Sequence, residues 1–131
     1  MNDVNFLDLA IKEAKKSTES IGCGAVIVQN EKIIAKAYNT QRSSNNASAH
    51  AEINAIKKAG KKLGNKNLSG ATIYCSCEPC TMCLSAIIFA KIKKLVYKIP
   101  LKKAFPGNIP VDIDINYFLS KTDGKLEVNK I

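Results

Sequence analysis

Apolar positions along the chain change period several times, and each change marks an element. Near the N-terminus Phe6, Leu9, Ala10 and Ala14 recur at helical spacing, which predicts an amphipathic helix from about Val4 to Thr18. Two β-rich apolar runs follow, Ala25 to Val28 and Lys32 to Tyr38. The short turn at Asn30-Glu31 between them predicts an antiparallel hairpin. Gln41 to Ser48 reads as a polar loop. A second helix is expected from about Ala49 to Leu63, with Ile53, Ala55, Ile56 and Ala59 buried and Gly64 ending it. Next come a strand from Ala71 to Cys75, a helix from Cys80 to about Ala90 and a strand from Lys94 to Lys98. Strand and helix alternating after a hairpin imply a partly parallel sheet covered on both faces. Beyond Pro100 the pattern weakens: Phe105 to Pro110 reads as a loop, Ile115 to Ser120 as a short helix and Leu126 to Ile131 as a last strand.

Two short segments carry chemistry. His50-Ala51-Glu52 opens the second helix, and Pro79-Cys80-Thr81-Met82-Cys83 opens the third. Zinc takes imidazole nitrogen and thiolate sulfur in a tetrahedron, and three protein ligands leave one position for water. Such a water titrates near neutrality and becomes a nucleophile. His50 and Glu52, if both helical, point roughly 200° apart at the regular helical angle. The natural division gives the metal to His50 and leaves Glu52 to move protons. Pro79 suits a first helical turn, and Cys80 and Cys83, three apart, share a helix face where the helix N-terminus favours thiolate.

Each of these residues also has a plainer reading. A lone histidine before an apolar helix is ordinarily structural, and Glu52 could simply complement the helix dipole. Cys80 and Cys83 alone fit a redox pair or half of a zinc knuckle. Cys75 and Cys77 could complete a four-cysteine site, but they end a predicted strand whose neighbouring residues face opposite sides, which makes them awkward ligands for one ion. Cys23 is either a small core filler or a pocket-lining residue. The four groups together, His50, Glu52, Cys80 and Cys83, outweigh the plain readings.

The H-x-E plus P-C-x-x-C combination is the signature of zinc nucleobase deaminases. The chain resembles the cytidine deaminase-like superfamily, in the branch of guanine, cytosine and tRNA-type adenosine deaminases. The likeness runs from Ile21 to Val28, through Ala35 to Asn39, Ala49 to Ile53 and Cys77 to Leu84, into Lys94 to Tyr97. It departs at Gly22-Cys23, where members usually carry Val, Ile or Phe after a Pro or Gly. The resemblance implies a three-layer α/β/α sandwich with a mixed sheet of about five strands, built as a single zinc-dependent deaminase domain over residues 1–131. It implies zinc on His50, Cys80 and Cys83, Glu52 as the catalytic proton shuttle, and the substrate held by Asn39 and by main-chain groups of Ala51 and Cys80. It also implies pairing into a homodimer, with the neighbouring chain helping to wall the pocket.

Composition narrows the function classes. The 131 residues are 46% hydrophobic, enough for one globular core. Met1 to Ala10 carries two aspartates and no long apolar run, and Leu84 to Ala90 is far too short to span a membrane, so a cytoplasmic protein is expected. Five cysteines, four of them between 75 and 83, suit metal binding better than a disulfide framework. The net charge is +9, and between Ile53 and Val111 a single acidic residue, Glu78, faces eleven lysines. Lys57, Lys58, Lys61 and Lys62 form one stripe, either a solvated face or a phosphate track. The wording Ser76-Cys77-Glu78-Pro79-Cys80, and the absence after Ile131 of the C-terminal helix usual in tRNA enzymes, favour a small purine or pyrimidine substrate of the guanine or cytosine type. A tRNA adenosine deaminase is the alternative, supported by the lysine excess, and a non-catalytic zinc-stabilised module is the third reading.

Overall fold

The computed structural model describes residues 1–131. Helix α1 spans Asp3–Ala14, and Asn2 caps it by a reciprocal pair of hydrogen bonds with Asn5 of 3.0 and 3.2 Å. Strands β1 (Gly24–Gln29) and β2 (Lys32–Tyr38) form the expected hairpin. Asn30 and Glu31 both take positive φ, 52° and 65°, the turn conformation whose twist matches flanking strands. Helices α2 (Gln41–Ser44) and α3 (Ala51–Leu63) follow, then β3 (Thr72–Cys77), α4 (Thr81–Phe89) and β4 (Lys94–Ile99). The chain ends with α5 (Leu101–Ala104), α6 (Ile115–Ser120) and β5 (Glu127–Lys130).

The sheet is mixed and five-stranded, in the order β2-β1-β3-β4-β5. Strand β1 is antiparallel to both of its neighbours, β2 and β3, while β4 runs parallel to β3 and β5 parallel to β4. Alternation along the strands sends side chains to two cores. Val26, Val28, Tyr74 and Val96 pack with Phe6, Leu7 and Ala10 of α1. Ala25, Ile27, Ile73, Cys75 and Leu95 pack with Ala51, Ala55 and Ala59 of α3 and with Leu84 and Ile87 of α4. The α/β sandwich expected from the sequence is therefore present, with helices on both faces. No helix is long and apolar enough to cross a membrane.

Several details differ from the sequence reading. Helix α1 stops at Ala14, four residues short of Thr18, because the chain must turn back through Gly22 and Gly24 beneath it. The polar loop contains α2, and α5 lies where no element was expected. In α3 the buried positions are Ala51, Glu52, Ala55 and Ala59, while Ile53 and Ile56 are only half-buried. Small residues face the sheet there because the helix packs close, and the larger isoleucines are displaced to its flanks. Gly64 ends α3 as expected, in the left-handed conformation at φ 64°. On the opposite face, the Tyr74 hydroxyl donates to Asp3 Oδ1 at 2.7 Å and Lys94 Nζ donates to Oδ2 at 2.9 Å, pinning the start of α1 to β3 and β4.

Strand β1 comes close to α1 at Gly24, where an added Cβ would run into the Ala10 carbonyl oxygen. Gly24→Ala is expected to lower stability by about 2–3 kcal/mol through overpacking. Gly60→Ala, whose Cβ would meet only the Asn65 oxygen at 3.4 Å, should instead stabilise by about 0.5–1 kcal/mol through helix propensity. Urea midpoints of the two variants check both signs.

Candidate metal centre and pocket

Two helix N-termini converge at the C-terminal end of β3. His50 is the N-cap of α3 and Cys80 the N-cap of α4, both with extended backbone at ψ 159° and 173°. Their carbonyls accept the first helical hydrogen bonds, from Asn54 and Leu84, at 2.9 Å each. Neither side chain caps its own helix, so both are free to point across the gap. Asn54 fixes the first turn of α3 against the end of β2, its Nδ2 donating to the Tyr38 carbonyl at 2.9 Å and to Thr40 Oγ1 at 3.0 Å.

His50 Nδ1 lies 3.7 Å from Cys80 Sγ and 3.5 Å from Cys83 Sγ, and the three donor atoms all fall within 4.8 Å of one another. Tetrahedral zinc, with bonds of about 2.1 Å to nitrogen and about 2.3 Å to sulfur, holds such donors about 3.6 Å apart. The donor set fits the ion in both chemistry and spacing. Hydrogen bonding from the Cys83 thiol, seconded by His50, draws the Cys80 thiol down to about 4, so that its sulfur is available as thiolate.

Glu52 sits one residue into α3 beyond Ala51, is only 6% exposed, and lies outside the donor group. Burial pushes its carboxyl up to about 7, with the His50 imidazole opposing that rise. The sequence reading set His50 and Glu52 on diverging directions. They instead line the same pocket, because His50 is an N-cap with extended backbone and does not follow the helical wheel. Pro79 likewise stands before the cap of α4 and outside its first turn.

The pocket above these groups has a volume of about 390 Å³. Asn39 forms part of its wall, buried, with Oδ1 accepting from Cys23 N–H at 2.9 Å and Nδ2 donating to the Ile21 carbonyl at 2.9 Å. Ala51 lines it as the first residue of α3, a position whose N–H has no partner within the helix. Cys75 is buried in the core, and Cys77 lines the pocket next to Cys23. Being two apart on a strand, Cys75 and Cys77 share a face and do not oppose each other as supposed. What keeps them from the metal is position, since neither belongs to the donor group.

The opposite wall went unread in the sequence. Leu101, Phe105, Asn108, Ile109 and Val111 close over the pocket from α5 and the loop after it. Glu78 holds this segment, accepting the Leu101 N–H at 3.2 Å while its own N–H donates to the Ile99 carbonyl at 2.8 Å. Gln41, at the start of α2, also lines the pocket, and its Oε1 is buried without a partner. The signal that could have found this wall was the isolated Glu78 among lysines.

Comparison with known proteins agrees with this geometry. Residues 1–99 match the family described as the cytidine and deoxycytidylate deaminase zinc-binding region, and the chain belongs to it. A tRNA-specific adenosine deaminase of Agrobacterium fabrum is 43% identical over 95 residues, covering 71% of this chain and 62% of that protein. Guanine deaminase of Bacillus subtilis is 45% identical over 100 residues, covering 74% of this chain and 64% of that protein. The chain thus spans somewhat under two thirds of the length of both. A solved structure from studies of A-to-I editing by tRNA deaminases at the wobble position superposes with a TM-score of 0.81 at 33% identity, covering 98% of each chain.

Purified protein is expected to carry about one zinc per chain, lost in Cys80→Ser and Cys83→Ser and kept in Cys75→Ser. Metal analysis after dialysis checks this. Zinc that left with Cys75 would indicate a four-sulfur knuckle.

Proposed function

We propose that this member of the family is a zinc-dependent hydrolytic deaminase whose substrate is the wobble adenosine of a transfer RNA. The observation that carries the reaction type is the buried Glu52 carboxyl, at the pocket floor beside His50, Cys80 and Cys83 but outside their donor group. A carboxyl poised near neutrality can both take and return a proton. The substrate reading rests on the relatives: a tRNA-specific adenosine deaminase matches at 43% identity, and the wobble-editing structure is covered over 98% of both chains. This revises the expectation of a free guanine- or cytosine-type base, which had been drawn from the Ser76 to Cys80 wording and the chain end.

His50, Cys80 and Cys83 would hold the metal. Zinc, when bound, lowers the pKa of water and so makes hydroxide available at neutral pH. Glu52 Oε takes one proton from the attacking water and delivers it to the ring nitrogen beside the reacting carbon. It then takes the second from the hydroxyl now on that carbon and passes it to the departing amine, so that the C–N bond breaks, the carbonyl forms, and water and adenosine become inosine and ammonia. Asn39, with one amide N–H and one lone pair left after its bonds to residues 21 and 23, and the Ala51 main chain orient the base. The wall from Leu101 to Val111 excludes bulk water.

For the rest of an RNA, exposed Lys102 and Lys103 stand on α5 directly beside Leu101, at the rim of the pocket. The stripe of Lys57, Lys58, Lys61 and Lys62 is exposed along α3. A second copy of the chain is part of this reading as well. Helix α4 is apolar on nearly all sides, with Leu84 and Ile87 buried against the sheet while Phe89 is 83% exposed and Met82 is exposed too. A closed two-fold pair would cover that face.

Glu52→Gln should retain zinc and lose roughly two to four orders of magnitude in turnover. Unchanged turnover would remove the proton-shuttle mechanism.

A panel of adenosine, guanine, cytosine, cytidine and an anticodon stem-loop with wobble adenosine, followed by ammonia release, separates the substrate readings. The stem-loop alone should be turned over, and its apparent affinity should fall steeply with added salt. Turnover of free guanine with little salt dependence would favour the second reading, which the 45% identity to guanine deaminase supports.

A further inference from the structure

Two nucleophilic side chains at the pocket have no part in the proposed reaction. Cys23 and Cys77 are both unpaired thiols, and their sulfurs stand 3.4 Å apart. Their apposition is built into the sheet. The antiparallel register of β1 and β3 pairs Ala25 with Cys75, and continued by two residues it sets Cys23 opposite Cys77. Gly24 N–H donating to Ser76 Oγ at 2.9 Å keeps the two chains together at that end. Residues directly opposed in an antiparallel pair have Cα atoms about 4.5–5.5 Å apart, inside the span of about 4.4–6.8 Å that a disulfide bridges.

We propose that Cys23 and Cys77 form a redox-modification site, closing to a disulfide across the pocket wall on reaction with a hydroperoxide and reopening with a dithiol. Cys77 is the first nucleophile. Its sulfur accepts hydrogen bonds from the Cys23 thiol and, at 3.8 Å, from Ser76 Oγ, and two donors on one sulfur favour thiolate. The sulfur attacks a peroxide oxygen, an S–O bond forms, the O–O bond breaks, and with hydrogen peroxide water leaves. The Cys23 sulfur then attacks the resulting sulfenic acid, the S–S bond forms, and the S–O bond breaks to release a second water. Two thiols are oxidised and one peroxide is reduced.

The oxidant has a route, since both residues line the pocket and Cys23 is only half-buried. Cys75, the remaining thiol outside the metal donor group, is sealed in the core. Closure also has a structural consequence. The Cys23 N–H holds Asn39 Oδ1, so the bond ties the Asn39 wall covalently to β3. The site depends on neither substrate reading, because its evidence is sheet register and thiol geometry.

The test uses zinc-loaded protein and hydrogen peroxide at near-stoichiometric dose, followed by alkylation of remaining thiols and tandem mass spectrometry of peptides. The expected result is a Cys23–Cys77 cross-linked peptide, lighter by two hydrogen atoms than the two thiol peptides together. A dithiol should abolish it, and zinc content should be unchanged throughout. Cys23→Ser should give no cross-link to Cys77, and neither should Cys77→Ser give one to Cys23. The proposal is overturned if Cys23 and Cys77 are fully alkylated after peroxide, or if the first oxidation falls on Cys80 and Cys83 with release of zinc.

Discussion

The architecture turns on one constraint: two helices must begin at the same place. His50 caps α3, Cys80 caps α4, and only at a cap does the backbone leave the helical path and let a side chain reach across to the neighbouring helix. Each helix brings the positive end of its dipole to the same point, which favours thiolate at Cys80 and any anion formed in the pocket. Moving either helix by one turn, about 5.4 Å, would separate the donor atoms beyond the reach of a single ion. The close packing of Ala51, Ala55 and Ala59 on the sheet, and the Asn54 tether to β2, keep α3 from sliding.

Floor and wall are built differently. The floor is made of helix starts and a strand end that belong to the larger core, where Ala51, Cys83 and Leu84 are fully buried. The wall from Leu101 to Val111 comes from a four-residue helix and a loop, held at its base by Glu78. A rigid floor fixes the reacting groups with respect to one another, and a wall on a loop can differ between relatives without disturbing them. Relatives named for tRNA adenosine and for guanine stand at similar identity to this chain, 43% and 45%.

Much of this was legible in the residues. The hairpin followed from Asn30-Glu31, the end of α3 from Gly64, and the meeting of His50 with Cys80 and Cys83 from one histidine and a spaced pair of cysteines. What could not be read depended on contacts distant in sequence. The Cys23–Cys77 apposition requires the β1–β3 register, which no local pattern encodes. Helix α5 is too short to show a period and is placed by the Glu78 carboxylate. The divergence assigned to His50 and Glu52 failed because a helical wheel does not extend to the cap. The burial assigned to Ile53 and Ile56 failed because a helix packed closely on a sheet turns alanines inward.

The central claim is that His50, Cys80 and Cys83 hold one zinc and leave a fourth position open. X-ray absorption at the zinc edge tests it most directly. The account predicts two sulfur neighbours at about 2.3 Å and two lighter nitrogen or oxygen neighbours at about 2.0–2.1 Å. Four sulfur neighbours, which only Cys75, Cys77 or Cys23 could complete, would contradict it.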